Sequence, residues 1–190
     1  MNLLNYFWKK SSQHDAVVQP SDFTVATAES VTAGAVSNAL CSEPGASQYF
    51  KGGVVAYSIA SKKEILNIDT TYAEQNNFAN PFTTSEMAKS VTKMFKSRFG
   101  LSTTGYSLPY QREADEKNKQ CALDIKHPYA YICLYDSITD KSIIIKEEFV
   151  YDENTDKAIQ RATVQAKVAL RAAELYNKTI KSLVDSCSPN

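Results

Sequence analysis

An alternation of strand-like and helix-like segments constrains the fold of this chain more than any other feature. The β-branched run 23–27 predicts a strand, and the small residues of 31–40, apolar at helical spacing, predict a helix that packs closely on it. A turn at Pro44-Gly45 then precedes 52–58, which predicts a second strand. Such an alternation is typical of an α/β fold.

The second half of the chain adds a hairpin and a long helix. Apolar segments at 129–135 and 142–150, joined by a polar turn, predict an antiparallel hairpin, and an alanine-rich stripe predicts one helix over 155–183. The other predicted elements are helices at 61–66 and 85–99 and a short strand at 101–104. Together they predict an α/β sandwich with a mixed sheet, in which the direction of the hairpin strands relative to the others stays open.

Length and composition indicate one globular domain. The chain has 190 residues, of which 43% are hydrophobic and 22% charged. We divide it into a lead-in segment at 1–21, a single domain at 22–183 and a tail at 184–190. Within the domain, the polar segment 110–126 is predicted as a loop insertion, either a functional flap or a disordered stretch.

Charge and cysteine usage argue against several classes of function. Lys plus Arg and Asp plus Glu both number 21, so no net positive charge favours nucleic acid. The four cysteines form no C-x-x-C pair, which argues against a structural metal site and favours reduced thiols in a cytoplasmic protein. No apolar run approaches the roughly 20 residues of a membrane span. We therefore expect no nucleic-acid partner, no membrane partner and no metal.

Three clusters at predicted strand ends carry candidate chemistry. The first cluster is 29–34, where hydroxyls and backbone N–H groups at a helix start could hold an anion or a carbonyl oxygen. The second is 44–47, which carries a hydroxyl on a tight turn. The third is 57–62, which has a tyrosine and a lysine five residues apart at the end of a strand. Each cluster also has a purely structural interpretation. Ser30 and Thr32 could be helix caps, and Ser47 could be a turn residue. Lys62 could be a solvated lysine, and spacing alone does not distinguish it from Lys63.

Ser–Lys catalysis is the chemistry that these clusters suit best. A serine can attack an amide carbonyl when a lysine of lowered pKa accepts its proton, and no histidine is needed. The chain has two histidines, His14 and His127, both in polar contexts, so a Ser–His–Asp triad is the weaker hypothesis.

The spacing of these residues resembles the CinA C-terminal domain family. The resemblance runs from Glu29-Ser30-x-Thr32-x-Gly34 through Pro44-Gly45-Ala46-Ser47 and Gly52-Gly53-Val54-Val55-x-Tyr57-Ser58 to Lys62, and continues more weakly to Arg161. It covers about residues 22–180. The family includes nicotinamide mononucleotide deamidases and the C-terminal part of competence/damage-inducible proteins.

The resemblance implies a three-layer α/β/α fold and hydrolysis of nicotinamide mononucleotide to the acid and ammonia, without a cofactor. It implies Ser47 as nucleophile, Lys62 as general base, and Tyr57 and Ser30 in support of the proton transfer or of the bound substrate. Substrate-binding positions would be Thr32, Gly34, Thr104, Gly105 and Arg161, the last for the phosphate. It further implies a homo-oligomer.

The chain departs from the family at several substrate-binding positions. Ala33 stands where the family has glycine, the glycine-rich segment after Gly105 is replaced by one containing Tyr106 and Tyr110, and Asp156 stands where the family has an arginine that would pair with phosphate. Two hypotheses follow. The chain is an active amidohydrolase, on nicotinamide mononucleotide or a less charged amide, or it is a catalytically silent binding or regulatory protein.

Overall fold

The computed structural model describes residues 20–71, 73, 77–117 and 120–186. A 3-10 turn, Pro20–Phe23, leads into β1 (Val25–Glu29), α1 (Ala35–Cys41), a second 3-10 turn (Ala46–Gln48), β2 (Phe50–Val55), α2 (Ile59–Leu66) and α3 (Pro81–Phe95). Then follow β3 (Phe99–Tyr106), β4 (Tyr110–Arg112), β5 (Leu123–Ile125), β6 (Tyr129–Asp136), β7 (Lys141–Glu148) and α4 (Lys157–Ser186). Residues 1–19, including His14, and 187–190, including Cys187, lie outside the described residues.

The main sheet is mixed, as predicted. Its strand order is β2-β1-β3-β6-β7; β1 lies parallel to both β2 and β3, whereas β3–β6 and β6–β7 are antiparallel. The sequence left open the direction of the hairpin strands relative to the first three: β6 runs opposite to β1, β2 and β3, and β7 runs in the same direction as those three strands. The carboxyl ends of β1, β2 and β3 share one edge, which is where open α/β sheets bind ligands.

Helices cover both faces of the sheet and form three layers. One core cluster joins Val36 and Leu40 of α1 with the buried face of α4, including Val168 and Tyr176. The second cluster, on the other face, joins Leu66 of α2 with Met87 and Val91 of α3. The α/β/α sandwich expected from the resemblance is confirmed.

Both predicted ends of the helix at 85–99 were wrong for identifiable reasons. The helix expected at 85–99 starts at Pro81, since the Asn80 side chain accepts a hydrogen bond from the Thr83 N–H, and ends at Phe95. Gly100 does not end that helix but lies within β3, where a Cβ would come 2.0 Å from the Ala88 carbonyl oxygen. The glycine thus permits close approach of α3 to the sheet.

Segment 110–126, expected as a loop, contains an antiparallel pair formed by β4 and β5. A further bridge between Asp115 and Gln120 continues it. At the other boundary α4 extends through Ser186, so residues 184–186 of the expected tail are helical. Within the described ranges, none of the helices has both the length and the apolar character that crossing a bilayer requires.

Candidate functional site

A cavity of about 380 Å³ lies where β1, β2 and β3 end. Six of the predicted site residues line it: Ser30, Tyr57, Lys62, Thr104, Gly105 and Arg161. They come from four separate stretches of the chain, three of which the parallel strands bring to one edge of the sheet, while α4 brings Arg161. The volume is at the small end of the range of ligand-binding cavities.

Lys62 is buried below the floor of this cavity. Only 3% of it is exposed, because it points inward from α2, whereas the adjacent Lys63 is exposed. Its Nζ donates to the Ala56 carbonyl oxygen at 2.8 Å, to the Tyr57 carbonyl oxygen at 3.1 Å and to Ser30 Oγ at 3.0 Å. Burial lowers the pKa of the Lys62 amine from 10.5 to about 8. The alternative of a solvated surface lysine is therefore wrong.

The three acceptors around Lys62 favour a proton exchange with Ser30. A neutral amine has two N–H groups and one lone pair. If the two carbonyl oxygens keep the N–H groups, the lone pair faces Ser30 Oγ, which can then donate its proton across 3.0 Å. That distance is within the reach required of a general base.

Glu29 holds the turn that carries Ser30. Its carboxylate is fully buried and accepts five hydrogen bonds. Oε2 accepts from Thr32 Oγ1 at 2.7 Å, from Gly34 N at 2.9 Å and from Val36 N at 3.0 Å. Oε1 accepts from Ser37 N at 2.7 Å and from Ser37 Oγ at 2.6 Å. A carboxylate at the start of α1 also interacts favourably with the helix dipole. Ser30 follows directly in sequence, so Glu29 fixes its backbone.

This arrangement corrects the expectation of an external anion or carbonyl oxygen at the start of α1. The N–H groups of Gly34, Val36 and Ser37 already donate to Glu29. Glu29 was not singled out from the sequence, although an acidic residue at the end of a strand, just before a helix, is a recognisable signal for such a cap.

Tyr57 and Arg161 meet on the outer side of the cavity. Tyr57 is 54% exposed and its hydroxyl accepts a hydrogen bond from Arg161 Nη2. The contact joins the end of β2 to α4, 104 residues apart in sequence. It places a guanidinium at the cavity wall, where it can bind an anionic group.

Ser47 is not brought to this cavity within one chain. It is exposed in the 3-10 turn Ala46–Gln48, which precedes β2, whereas Tyr57 and Lys62 follow β2. The two ends of this six-residue strand lie on opposite edges of the sheet, about 17 Å apart at the usual rise per residue. The role of Ser47 as nucleophile stays a prediction that one copy of the chain does not satisfy.

Thr32 and Gly34 lie beneath the cavity rather than in its lining. Thr32 is buried, donates to Glu29, and pairs with the Thr103 hydroxyl at 2.6 Å. Gly34 adopts a φ of +102° as the N-cap of α1. Both residues shape the turn that follows β1, which is a structural contribution to the site.

Aromatic side chains from the end of β3, the start of β4 and the segment before α3 line one part of the cavity. Tyr106 and Tyr110 line the cavity with stacked rings whose centroids are 5.3 Å apart, and Phe78 lines it as well. The two tyrosines were expected here from the sequence. Phe78 and its neighbour Asn77 were not, because the segment between α2 and α3 carries no recognisable motif.

The described part of the chain offers no set of His, Cys, Asp and Glu side chains arranged to hold a metal ion. In the same residues Cys41, Cys121 and Cys133 are free thiols. The chemistry available at the cavity is thus that of a buried amine, a hydroxyl, a guanidinium and an aromatic wall.

Comparison with known proteins identifies a family. The model of the CinA C-terminal domain matches residues 9–179. A CinA-like protein of Flavobacterium psychrophilum is 29% identical over 143 residues, which are 75% of this chain and 31% of that relative. The chain thus spans less than a third of the length of this curated relative.

Solved structures show the same fold. The competence damage-inducible protein A from Klebsiella pneumoniae superposes with a TM-score of 0.65 at 18% identity, covering 84% of this chain and 87% of that one. A competence or damage-inducible protein from Enterobacter asburiae gives a TM-score of 0.64 at 21% identity, covering 92% and 94%.

Proposed function

We propose that this chain, which belongs to the CinA C-terminal domain family, is an amidohydrolase that hydrolyses the carboxamide of nicotinamide mononucleotide through Lys62 and Ser30. The observation that carries the proposal is the buried Lys62 amine, 3.0 Å from the Ser30 hydroxyl, at the floor of an open cavity. A desolvated lysine beside a serine is the arrangement that activates a hydroxyl without histidine.

The reaction begins with transfer of the Ser30 proton to the neutral Lys62 amine as Oγ attacks the carboxamide carbon. The tetrahedral intermediate collapses, the C–N bond breaks, and Lys62 returns the proton to the leaving nitrogen, which departs as ammonia. A water molecule then attacks the acyl-serine, again losing a proton to Lys62, and Ser30 recovers that proton as the carboxylic acid leaves. The first and last transfers run between Ser30 Oγ and Lys62 Nζ, and in the two intermediate transfers Lys62 exchanges a proton with the leaving nitrogen and with water.

Arg161 supports the choice of a phosphorylated substrate. Its guanidinium lies at the cavity wall beside Tyr57 and would pair with an anionic substituent of the amide. The departures at Ala33 and Asp156 do not remove this cation: Ala33 is exposed on the turn beside the site, and Asp156 accepts from the N–H groups of Ala158 and Ile159 at the start of α4.

Ser47 and self-association form one linked proposal. Since Ser47 lies on the opposite edge of the sheet from Lys62, a nucleophilic role for Ser47 requires a second copy of the chain, as in a homo-oligomer. Ser30 needs no second copy, which is why we assign the attack to Ser30.

The test is ammonia release from nicotinamide mononucleotide by purified wild-type protein and two variants. Lys62→Met and Ser30→Ala should each reduce the rate by at least 100-fold, as expected for loss of general-base catalysis and of the nucleophile. Lys63→Met is the matched control, because Lys63 is adjacent in sequence but exposed, and it should retain the wild-type rate.

Absence of release by folded wild-type protein, across nicotinamide mononucleotide and uncharged aromatic amides, would contradict the proposal. That result would favour the alternative hypothesis of a catalytically silent binding protein. An undiminished rate in Lys62→Met would refute the role of the lysine as base.

A further inference from the structure

We infer that the ring pair Tyr106–Tyr110 sets the selectivity of the cavity by stacking on a flat, positively charged ring that carries the carboxamide. The inference rests on the proposed function for the position of the carboxamide at Ser30. It adds which residues recognise the rest of the substrate, and by which interaction.

The two rings form one stacked aromatic pair at the cavity wall. Their centroids lie 5.3 Å apart with an interplanar angle of 21°, and both side chains line the cavity. Tyr106 also contacts the Tyr129 ring at 5.7 Å. Aromatic faces carry partial negative charge, so they attract a cationic ring more strongly than a neutral one.

Hydrogen bonds hold the Tyr106 ring in place before any ligand arrives. The Tyr106 hydroxyl donates to Asn77 Oδ1 at 3.1 Å, and Asn77 Nδ2 donates to the Tyr129 hydroxyl at 2.7 Å. The Tyr129 hydroxyl in turn donates to the Ala79 carbonyl oxygen at 3.1 Å. Fixing the ring in advance reduces the entropy lost on binding.

The charges around the cavity explain why the rings would be needed. Among the described lining residues the charged side chains are Lys62 and Arg161, and none is Asp or Glu. A cationic ring therefore finds its favourable electrostatic partner in the aromatic faces, whereas an anionic substituent finds Arg161. The substrate class is a carboxamide on a cationic aromatic ring that also carries an anionic group.

Two forms of one nucleotide isolate the ring interaction. Nicotinamide mononucleotide has a cationic aromatic ring, whereas its reduced form has a neutral, non-aromatic ring with the same carboxamide, ribose and phosphate. Binding of both is measured by calorimetry in the Ser30→Ala background, which prevents turnover and leaves Lys62 in place. We expect about tenfold tighter binding of the oxidised form, the ratio that corresponds to a cation–π gain of about 1.4 kcal/mol.

Tyr110→Leu should reduce this preference to less than threefold, and it should fold because Tyr110 is 42% exposed. Tyr106→Phe, which keeps the ring and removes only the hydroxyl contact with Asn77, should retain most of the preference. The matched control is Tyr135→Leu: Tyr135 pairs with Gly100 at the opposite end of β3, away from the cavity, so the preference should not change.

Several outcomes would overturn the inference: equal affinity for the two forms, a preference unchanged by Tyr110→Leu, or no binding of either form. Its failure is distinguishable from failure of the proposed function. A tenfold preference for the oxidised form without ammonia release by the wild type would support binding by the ring pair and refute the proposed amidohydrolase activity. Ammonia release without any preference would support the activity and refute binding by the ring pair.

Discussion

The buried amine of Lys62 should make the stability of the protein depend on pH in a way that one substitution reveals. Its pKa lies at about 8 in the folded protein against 10.5 for an exposed lysine, a difference of about 2.5 units. At 1.36 kcal/mol per unit, charging the folded amine costs about 3 kcal/mol of the free energy of unfolding. Lys62→Met removes that cost.

The sign of this pH dependence follows from the number of protons that the folded and unfolded states bind. Between pH 8 and pH 10.5 the unfolded chain binds the proton and the folded chain does not, so the stability of the wild type rises with pH across this window. Well below pH 8 the amine is protonated in both states, and the full cost of charging the buried amine lowers the free energy of unfolding. The free energy of unfolding of Lys62→Met minus that of wild type should therefore fall by about 3 kcal/mol between pH 7 and pH 10.5.

Urea denaturation of both proteins at pH 7, 8.5 and 10.5 measures this difference, and the other titrating groups cancel because the two proteins share them. The comparison also cancels the fixed effect of leaving the Ala56 and Tyr57 carbonyl oxygens without the amine. Lys63→Met, at an exposed position, should show no such pH dependence. An equal free-energy difference at all three pH values would refute the desolvated amine and with it the physical basis for a lysine base.

The remaining predictions concern the turn after β1 and the identity of the nucleophile. Glu29→Gln should destabilise the fold by about 2 kcal/mol in urea denaturation, because an amide offers one oxygen and turns its NH₂ group toward an N–H donor such as the partly buried one of Ser37. A change below about 0.5 kcal/mol would contradict the cap. Ala33→Gly should raise the free energy of unfolding by about 1 kcal/mol, since Ala33 has a φ of +51°, and a loss of stability would be the opposite result. If Ser30 attacks, Ser47→Ala should keep the wild-type rate by itself, and an equal mixture with Lys62→Met should give about half of that rate. An inactive Ser47→Ala protein whose mixture with Lys62→Met recovers about a quarter of the wild-type rate, the statistical yield when half of the dimers are mixed and each has one intact site, would instead show that Ser47 acts across two copies. The rate of ammonia release at low substrate should rise about tenfold from pH 6 to pH 7 and level off above pH 8, following the neutral fraction of Lys62, and a flat profile would argue against it.

Much of the fold could be predicted because its signals are local. The strand that became β1, the hairpin of β6 and β7 and the long helix α4 follow from apolar periodicity within ten to thirty residues. Boundaries failed where a nearby cap or a packing contact decided them, as with Asn80 at the start of α3 and Gly100 within β3.

The candidate site was predicted less completely, because a site joins residues that are distant in sequence. Spacing alone did not separate Lys62 from Lys63, and only the packing of α2 against the sheet shows which of them is buried. The strand predicted at 52–58 already placed Ser47 and Lys62 at its two ends, and only the parallel pairing of β2 with β1 shows that the Lys62 end meets Ser30.

The sequence by itself determined the layers of this protein and the residue types near its strand ends, since backbone propensity and side-chain periodicity act over a few residues. Only the tertiary structure decided which of those residues meet. The parallel pairing of β1 with β2 and β3 sets Ser30 beside Lys62, and removal of the Lys62 amine from water lowers its pKa to about 8. Long-range strand pairing and desolvation, which no short stretch of sequence encodes, thus produce the chemistry of the site.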